Sequence, residues 1–275
     1  MTLCMKIELR FAASADVSAL RRNWRACFGD DDTYLDFFFA RRFRAADTPV
    51  LTADGTVVSQ LFLLPAKLRD AAGEMHDVRY LFAAATHPDH RGRGCMARLL
   101  RFAAEAARNA SAEGIALQPG EESLYAYYAQ FGYRPAFRRR VWEGSLCDLP
   151  DTSVPNDPET DAVAFLERYL NNRPGVCWER EALRFAIDEH RRFRGRCAAC
   201  GRAFAAAEDD GVCRVLSDPD DLAAGIALLR GLTHETRVRL ILPPDAPLGE
   251  PEDGGMLLAF TPIEVGEAML CFAKE

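Results

Sequence analysis

Apolar residues recur along the chain in two rhythms, and the places where one gives way to the other mark out its elements. Lys6–Phe11 reads as a first strand. From Ser14, a residue type that caps helices, Val17, Leu20, Trp24, Cys27 and Phe28 share one face at helical spacing. A second helix is expected over Thr33–Phe43, carrying the apolar run Phe37-Phe38-Phe39. Pro49–Ala53 and Thr56–Leu64 flank Asp54-Gly55, a two-residue hairpin signal. Tyr80–Thr86 reads as a short apolar strand. Met96–Ala112 reads as a helix with Met96, Leu99, Leu100 and Ala103 inward and Gly114 just past its end. Ile115–Gln118 is then a strand and Ser123–Gln130 a short helix. This order predicts a mixed α/β domain built around one sheet.

The stretch Leu149–Glu159 holds Pro150, Pro155 and Pro158 among Asp, Ser, Thr and Asn, a linker composition. It divides the chain into residues 1–148, a linker at 149–159 and residues 160–275. Beyond it the pattern predicts helices near Thr160–Leu170 and Trp178–His190, and strands near Gly195–Ala199, Arg202–Ala207 and Val212–Leu216. A helix capped by Asp218 or Asp220 and ending near Gly231 follows. Arg237–Leu242 and Met256–Phe260 read as strands separated by a loop over Pro243–Gly255. The second half thus repeats the coarse order of the first in pattern, not in residue identity.

Composition narrows the class. Of 275 residues 49% are hydrophobic, enough for packed cores, so disorder is not the default reading. The chain has no apolar run of spanning length and its first residues lack the features of a signal peptide, so a cytoplasmic protein without membrane contact is expected. The nine cysteines are irregularly spaced, which argues against a disulfide framework. The net charge of −7 is uneven: 20 basic against 18 acidic residues lie in 1–148, and 14 against 23 in 149–275. A broad basic surface is absent, so no nucleic-acid partner is expected. An acidic second half suits a cationic substrate, and equally a solvated surface. Cys197-Ala198-Ala199-Cys200 has no second pair to complete a four-ligand site, and no metal is expected.

Candidate chemistry concentrates in Ala83-Ala84-Ala85-Thr86-His87-Pro88-Asp89-His90-Arg91-Gly92-Arg93-Gly94-Cys95-Met96, which runs from a strand through a turn into a helix. Gly92 and Gly94 leave backbone N–H groups unobstructed, and a helix start adds unpaired N–H groups and partial positive charge. Arg91 and Arg93 add full charges. Physically this is a pyrophosphate cradle. It is neither a Walker loop, lacking the Gly-Lys-Ser/Thr ending, nor a dinucleotide Gly-x-Gly-x-x-Gly turn.

The segment His87-Pro88-x-x-Arg91-Gly92-Arg93-Gly94 resembles motif A of the GNAT acetyltransferases, with Met96 standing where that motif has a small residue. Tyr128-Ala129-Gln130-Phe131-Gly132-Tyr133 resembles the family's companion Tyr-x-x-x-Gly-Phe/Tyr. Within the superfamily, Phe131–Ala136 is similar to a segment of the enhanced intracellular survival acetyltransferases, which carry a second, degenerate GNAT-like domain. The resemblance implies an α/β fold on a mixed sheet, with GNAT architecture at 1–148 and a degenerate copy at 160–275. It implies acetyl-CoA as cosubstrate and an amine as acceptor, attacking the thioester directly. Ala83, Ala84, Ala85 and Thr86 would supply the edge on which the pantetheine lies, and Arg91, Gly92, Arg93, Gly94, Cys95 and Met96 the pyrophosphate site. Tyr128 would protonate the departing thiolate, because a phenol stays protonated at neutral pH. Glu121 and Glu122 lie near enough to serve as base, but a solvated loop is the preferred reading. The family's terminal carboxylate would implicate Glu275, carried inward by a strand over Leu270–Ala273. The alternative to an enzyme is a non-catalytic acyl-CoA-binding module whose second domain recruits a partner.

Overall fold

The computed structural model describes residues 6–150 and 161–271. The expected linker, apart from Leu149 and Pro150, and Glu275 lie outside the described residues. The first half supplies β1 (Ile7–Phe11), α1 (Val17–Phe28), α2 (Asp32–Arg41), β2 (Pro49–Ala53), β3 (Thr56–Arg69), β4 (Met75–Thr86), α3 (Cys95–Asn109), β5 (Gly114–Leu117), α4 (Glu122–Ala129) and β6 (Arg134–Ser145). The second supplies α5 (Ala162–Asn171), β7 (Gly175–Cys177), α6 (Arg180–Arg192), β8 (Arg196–Ala199), β9 (Ala203–Ala207), β10 (Val212–Ser217), α7 (Leu222–Arg230), β11 (Arg237–Leu242) and β12 (Glu250–Ala259).

These strands form one sheet in the order β1-β2-β3-β4-β5-β12-β6-β11-β10-β9-β8, with β7 added on β3. β4 and β5 are parallel, connected through α3, and β10 and β11 are parallel, connected through α7. Leaving out β1, the order reads alike from both ends. The last strand of each half crosses to the other: β12 pairs with β5, β6 pairs with β11, and the two pair with each other at the centre. Hydrogen bonding therefore runs unbroken across the junction of the halves, and no strand edge is left open there.

Strand alternation sorts the core onto two faces. Phe62 and Leu64 of β3 pack with Trp24, Phe38, Leu166 and Leu183 from α1, α2, α5 and α6. Their neighbours Leu61 and Leu63 pack with Leu99, Leu100 and Tyr128 from α3 and α4. In the second half Phe204 faces the first of these cores, while Ala205 and Val215 face α7. The Phe37-Phe38-Phe39 run serves three contacts at once. Phe38 is fully buried 4.7 Å from the Trp24 ring, Phe37 stacks at 4.7 Å on Phe185 of α6, and Phe39 lies 5.2 Å from Phe43. Aromatic burial on this scale contributes strongly to stability and holds the two halves together.

Several expectations need correction. Ser14 opens a short 3-10 turn and makes no cap bond to α1. α3 ends at Asn109, where Ser111 takes the left-handed conformation (φ 61°), so Gly114 starts β5 instead of closing the helix. Residue Asp221, not Asp218 or Asp220, occupies the N-cap of α7. The supposed loop Pro243–Gly255 contains the first six residues of β12, whose charges Glu252 and Asp253 pair with Arg139 and Arg138 of β6. β6 and β7 had no counterpart in the pattern reading. Leu270 and Cys271 are buried but form no strand, and Phe272–Ala273 lie outside the described residues.

At the β3–β4 hairpin, His76 Nδ1 lies 3.0 Å from Glu113 and Nε2 3.2 Å from Asp70, with the residue half-buried. Both nitrogens facing carboxylates favour the imidazolium. The hydrogen bond to Glu113 raises the His76 pKa most, burial opposes it, and Asp70 adds to the rise. The bond to His76 lowers both carboxylates. A raised histidine contributes stability that is present below its unfolded pKa and lost as pH rises through the folded value; the lowered acids lose theirs as pH falls through their folded values. Stability from this cluster therefore peaks in mildly acidic solution. Between pH 6 and 9 the melting temperature is expected to fall by ~1–2 °C more in the native chain than in His76→Gln, as suits a surface pair. Parallel melting curves with the same slope against pH would refute the assignment.

Candidate active site

The site arises where the sheet opens. β4 pairs with β5 only at Val78–Tyr80 opposite Gly114–Ala116, yet continues to Thr86 along β3. Between Gln60↔Ala85 and Phe62↔Phe82 the register shifts, so Leu61 faces both Ala83 and Ala84. This is a β-bulge, and Ala83 sits at φ 47° to make it. A non-glycine residue there costs ~1–2 kcal/mol, and such strain gathers near functional sites. Past Tyr80, then, β4 and β5 part, leaving main-chain groups of β4 unpaired by β5.

The gap is a cavity of about 580 Å³. Leu81, Phe82, Ala83 and Ala84 line it from β4, Leu117, Gln118 and Gly120 from the end of β5, and Leu124 and Tyr128 from α4. Of the expected pantetheine edge, Ala84 lines the cavity, while Ala85 is buried and Thr86 bonds Ser59 Oγ at 2.8 Å. Small side chains on this edge leave room for a chain to lie against the backbone.

Beyond Thr86 a 3-10 turn (Pro88–His90) leads into Arg91–Gly94 and α3. His87 Nδ1 accepts the Asp89 N–H at 3.4 Å, a capping role. Gly92 and Gly94 take the left-handed conformation (φ 72° and 70°), and a Cβ at either would meet no atom within 4 Å. The glycines thus serve backbone conformation and leave open space before the turn. No side chain caps α3, so the N–H groups of Cys95, Met96 and Ala97 have no intrahelical partner. Cys95 itself is buried and Met96 half-buried. Arg93 is exposed, whereas Arg91 turns back: its Nε donates to Thr86 O at 3.1 Å and a terminal nitrogen donates to Cys27 Sγ at 3.4 Å. Arg91 therefore fastens the turn to the end of β4 with part of its donor set.

Tyr128 separates from the other tyrosines by position. It is 8% exposed and lines the cavity; burial, with a smaller effect of Tyr127, pushes its pKa up to about 12. Tyr125 donates to Asp253 O at 3.2 Å, Tyr133 is fully buried, and Tyr127 packs on Phe131. A phenol that stays protonated and borders the cavity can donate a proton there. Glu121 and Glu122 are exposed and do not line the cavity.

Of the opposite wall, the sequence offered only Asp30-Asp31-Asp32, as a helix start with binding of a cationic substrate the minor alternative; Glu208 and Asp210 were missed. Asp30, Glu208 and Asp210 line the cavity, with Arg214 beside them. The Asp30-Asp31-Asp32 run divides its labour: Asp31 caps α2 through the Tyr34 N–H, Asp32 pairs with Arg21 and Arg25, and Asp30 accepts Trp24 Nε1 at 2.8 Å. Glu208 and Asp210 stand on the β9–β10 turn of the second half. The acid-rich Glu208-Asp209-Asp210-Gly211 run was the available signal, but nothing in the chain order shows that it faces β4.

The second half has the same strand, 3-10 turn and helix at Ser217, Pro219–Asp221 and α7. Here the helix starts at once, without an Arg-Gly-Arg-Gly insertion, and the turn is acidic. Arg173 answers that charge by pairing with Asp218 and with Asp245. Anions are not invited to this site.

Residues 8–136 match the family model of the acetyltransferase (GNAT) domain. Comparison with curated proteins gave no match. Among solved structures, a GCN5-related N-acetyltransferase from Kribbella flavida superposes with a TM-score of 0.69 at 15% identity, covering 94% of this chain and 72% of that one. One from Anabaena variabilis gives 0.70 at 15%, covering 92% and 72%. Eis1 from Mycobacterium abscessus gives 0.65 at 13%, covering 92% and 73%. At these identities the likeness is one of fold.

Proposed function

Taking residues 8–136 as a GNAT acetyltransferase domain within a chain of GNAT fold, we propose that the protein moves the acetyl group of acetyl-CoA to the amine of a small molecule or peptide. The carrying observation is Tyr128 on the wall of a cavity whose other side is the parted edge of β4, the strand that leads into the turn at Arg91–Met96. In this reading Gly92, Gly94, Cys95 and Met96 receive the pyrophosphate on backbone N–H groups, helped by Arg93 and by what remains of Arg91. Ala84, Ala85 and Thr86 mark the edge along which the pantetheine lies, and the thioester reaches Tyr128. The division at 149–159 into two GNAT-like units belongs to the same proposal.

The bound ammonium first loses one proton to solvent water; the neutral amine nitrogen then attacks the thioester carbonyl carbon, forming C–N, and the C–S bond then breaks. Sulfur gains the Tyr128 proton, and the phenolate regains one from the nitrogen as the amide forms, so protons balance. Holding both reactants in one cavity supplies much of the rate. No described helix is long and apolar enough to cross a membrane.

Isothermal titration of acetyl-CoA, with release of free thiol over a panel of amines, tests the reading. Saturable binding without thiol release would favour the acyl-CoA-binding module instead. The carboxylates on the rim are assigned to the acceptor's ammonium. Glu208→Gln and Asp210→Asn are each expected to raise its KM about two- to fivefold at low salt, as suits exposed charges. kcat should change little. A KM indifferent to both changes would place the ammonium elsewhere.

A further inference from the structure

A second cavity, of about 290 Å³, opens beside the first. The two share Glu208, Val212, Arg214 and Ile241, so they adjoin along the β10 side of the sheet. Every residue lining the second comes from the second half of the chain. Its lining is mixed: Ala186, Ile187 and Phe193 from the α6 side face Phe204 and Ala206 of β9, and Glu189, His190, Glu208 and Arg214 add polar groups. Its polar groups are not spread evenly. Glu189 is buried and already accepts the Tyr34 hydroxyl at 2.6 Å, and Tyr34 in turn lines the first cavity. Glu208 and Arg214 lie where the cavities meet.

We infer that the side cavity receives the non-reacting arm of the acceptor, and that the acceptor is a primary amine carrying an alkyl or aryl arm. The inference rests on the acyl-transfer reading above. Charge and shape agree with it. The ammonium end belongs in the first cavity, where Asp30, Glu208 and Asp210 gather and the thioester arrives. An uncharged, apolar arm leaving that end past Glu208 meets Val212, Ile241, Phe204 and Ala206. A cavity that combines hydrophobic side chains with a small number of placed polar groups is the usual form of a small-molecule site. The second half, whose own phosphate turn is missing, thereby gains a role: it selects the acceptor.

The experiment compares acetylation of ethylamine, 2-phenylethylamine and 4-phenylbutylamine by the full chain and by Ala186→Trp, which fills the side cavity from α6. In the native chain kcat/KM is expected to rise with arm length, by about fourfold for each methylene buried, mainly through KM. In Ala186→Trp the advantage of the long amine should fall at least tenfold while ethylamine is acetylated as before. Ala206→Leu, a smaller filling change from the β9 wall, repeats the test should the tryptophan disturb folding; melting curves of both variants check this. Equal kcat/KM across the series, or an unchanged preference in filled variants that fold, would overturn the side-cavity assignment alone. If no amine is acetylated at all, the acyl-transfer reading falls. Titration of 4-phenylbutylamine into the native chain and into Ala186→Trp then still decides the cavity, since binding weakened by the filling supports it and equal binding sinks it.

Discussion

Replacing Tyr128 by phenylalanine is expected to lower kcat about 100-fold while leaving the affinity for acetyl-CoA within about twofold. The change deletes one hydroxyl and keeps the ring, which packs edge-on to Tyr127 at 5.5 Å and to Tyr133 at 5.7 Å. No large cavity opens, so stability should hold. The coenzyme is assigned to the β4 edge and the turn before α3, which the hydroxyl does not support. What disappears is a proton donor kept protonated by burial, its pKa pushed up to about 12. Positioned acid catalysis is worth ~100- to 10,000-fold; a thiolate is already a fair leaving group and water can partly replace the phenol, which sets the low end. Tyr125→Phe and Tyr127→Phe are milder controls, the first removing only a bond to the Asp253 carbonyl. Steady-state thiol release with a working acceptor measures the effect, and near-native turnover in Tyr128→Phe would make it a packing residue.

Changing Gly94 to alanine should weaken acetyl-CoA binding by about 10- to 100-fold, the loss from disturbing a hydrogen bond to a charged group. Two effects act together. Gly94 is the N-cap of α3 at φ 70°, where an L-residue is strained by ~1–2 kcal/mol. Its new Cβ would meet no protein atom within 4 Å, so the protein itself leaves room for it and any steric loss would fall on a ligand held at the turn. Gly73→Ala is the control: it has φ 89°, its new Cβ would meet only the end of the Arg69 side chain at 3.3 Å, and it lies in the β3–β4 hairpin at the opposite end of β4 from the turn. Both variants should lose similar stability in thermal melts, but only Gly94→Ala should lose affinity by titration. Equal affinities would remove the turn from the coenzyme site.

Much of the first half was legible because its information is local. Helical spacing in Val17–Phe28, the Asp54-Gly55 turn and the strand–turn–helix around Gly92 and Gly94 are each set by neighbours within a few residues. Arg91, Gly92 and Gly94 could be chosen as site candidates because backbone freedom and charge at a helix start are properties of a short segment. Tyr128 could be chosen from the spacing of the companion motif. Its burial beside Tyr127 and Tyr133, and its place on a cavity wall, were visible only in three dimensions.

Chain order by itself determined the types of most elements, because propensity, periodicity and composition act along the chain. The tertiary structure alone decided the rest. β6 was hidden because its Arg138-Arg139-Arg140 run reads as no more than a solvated strand end, and β12 because Pro251, Glu252, Asp253 and two glycines read as loop; each is a strand because partner strands lie on both sides, β11 and β12 for β6, β5 and β6 for β12. That exchange closes one sheet over both halves and brings the β9–β10 turn across from β4. Asp30, separated from Glu208 and Asp210 by most of the chain, shares a cavity with them for that reason. Pairing between distant strands is paid for by contacts that no local window contains, so the acidic wall of the cavity was set by packing alone.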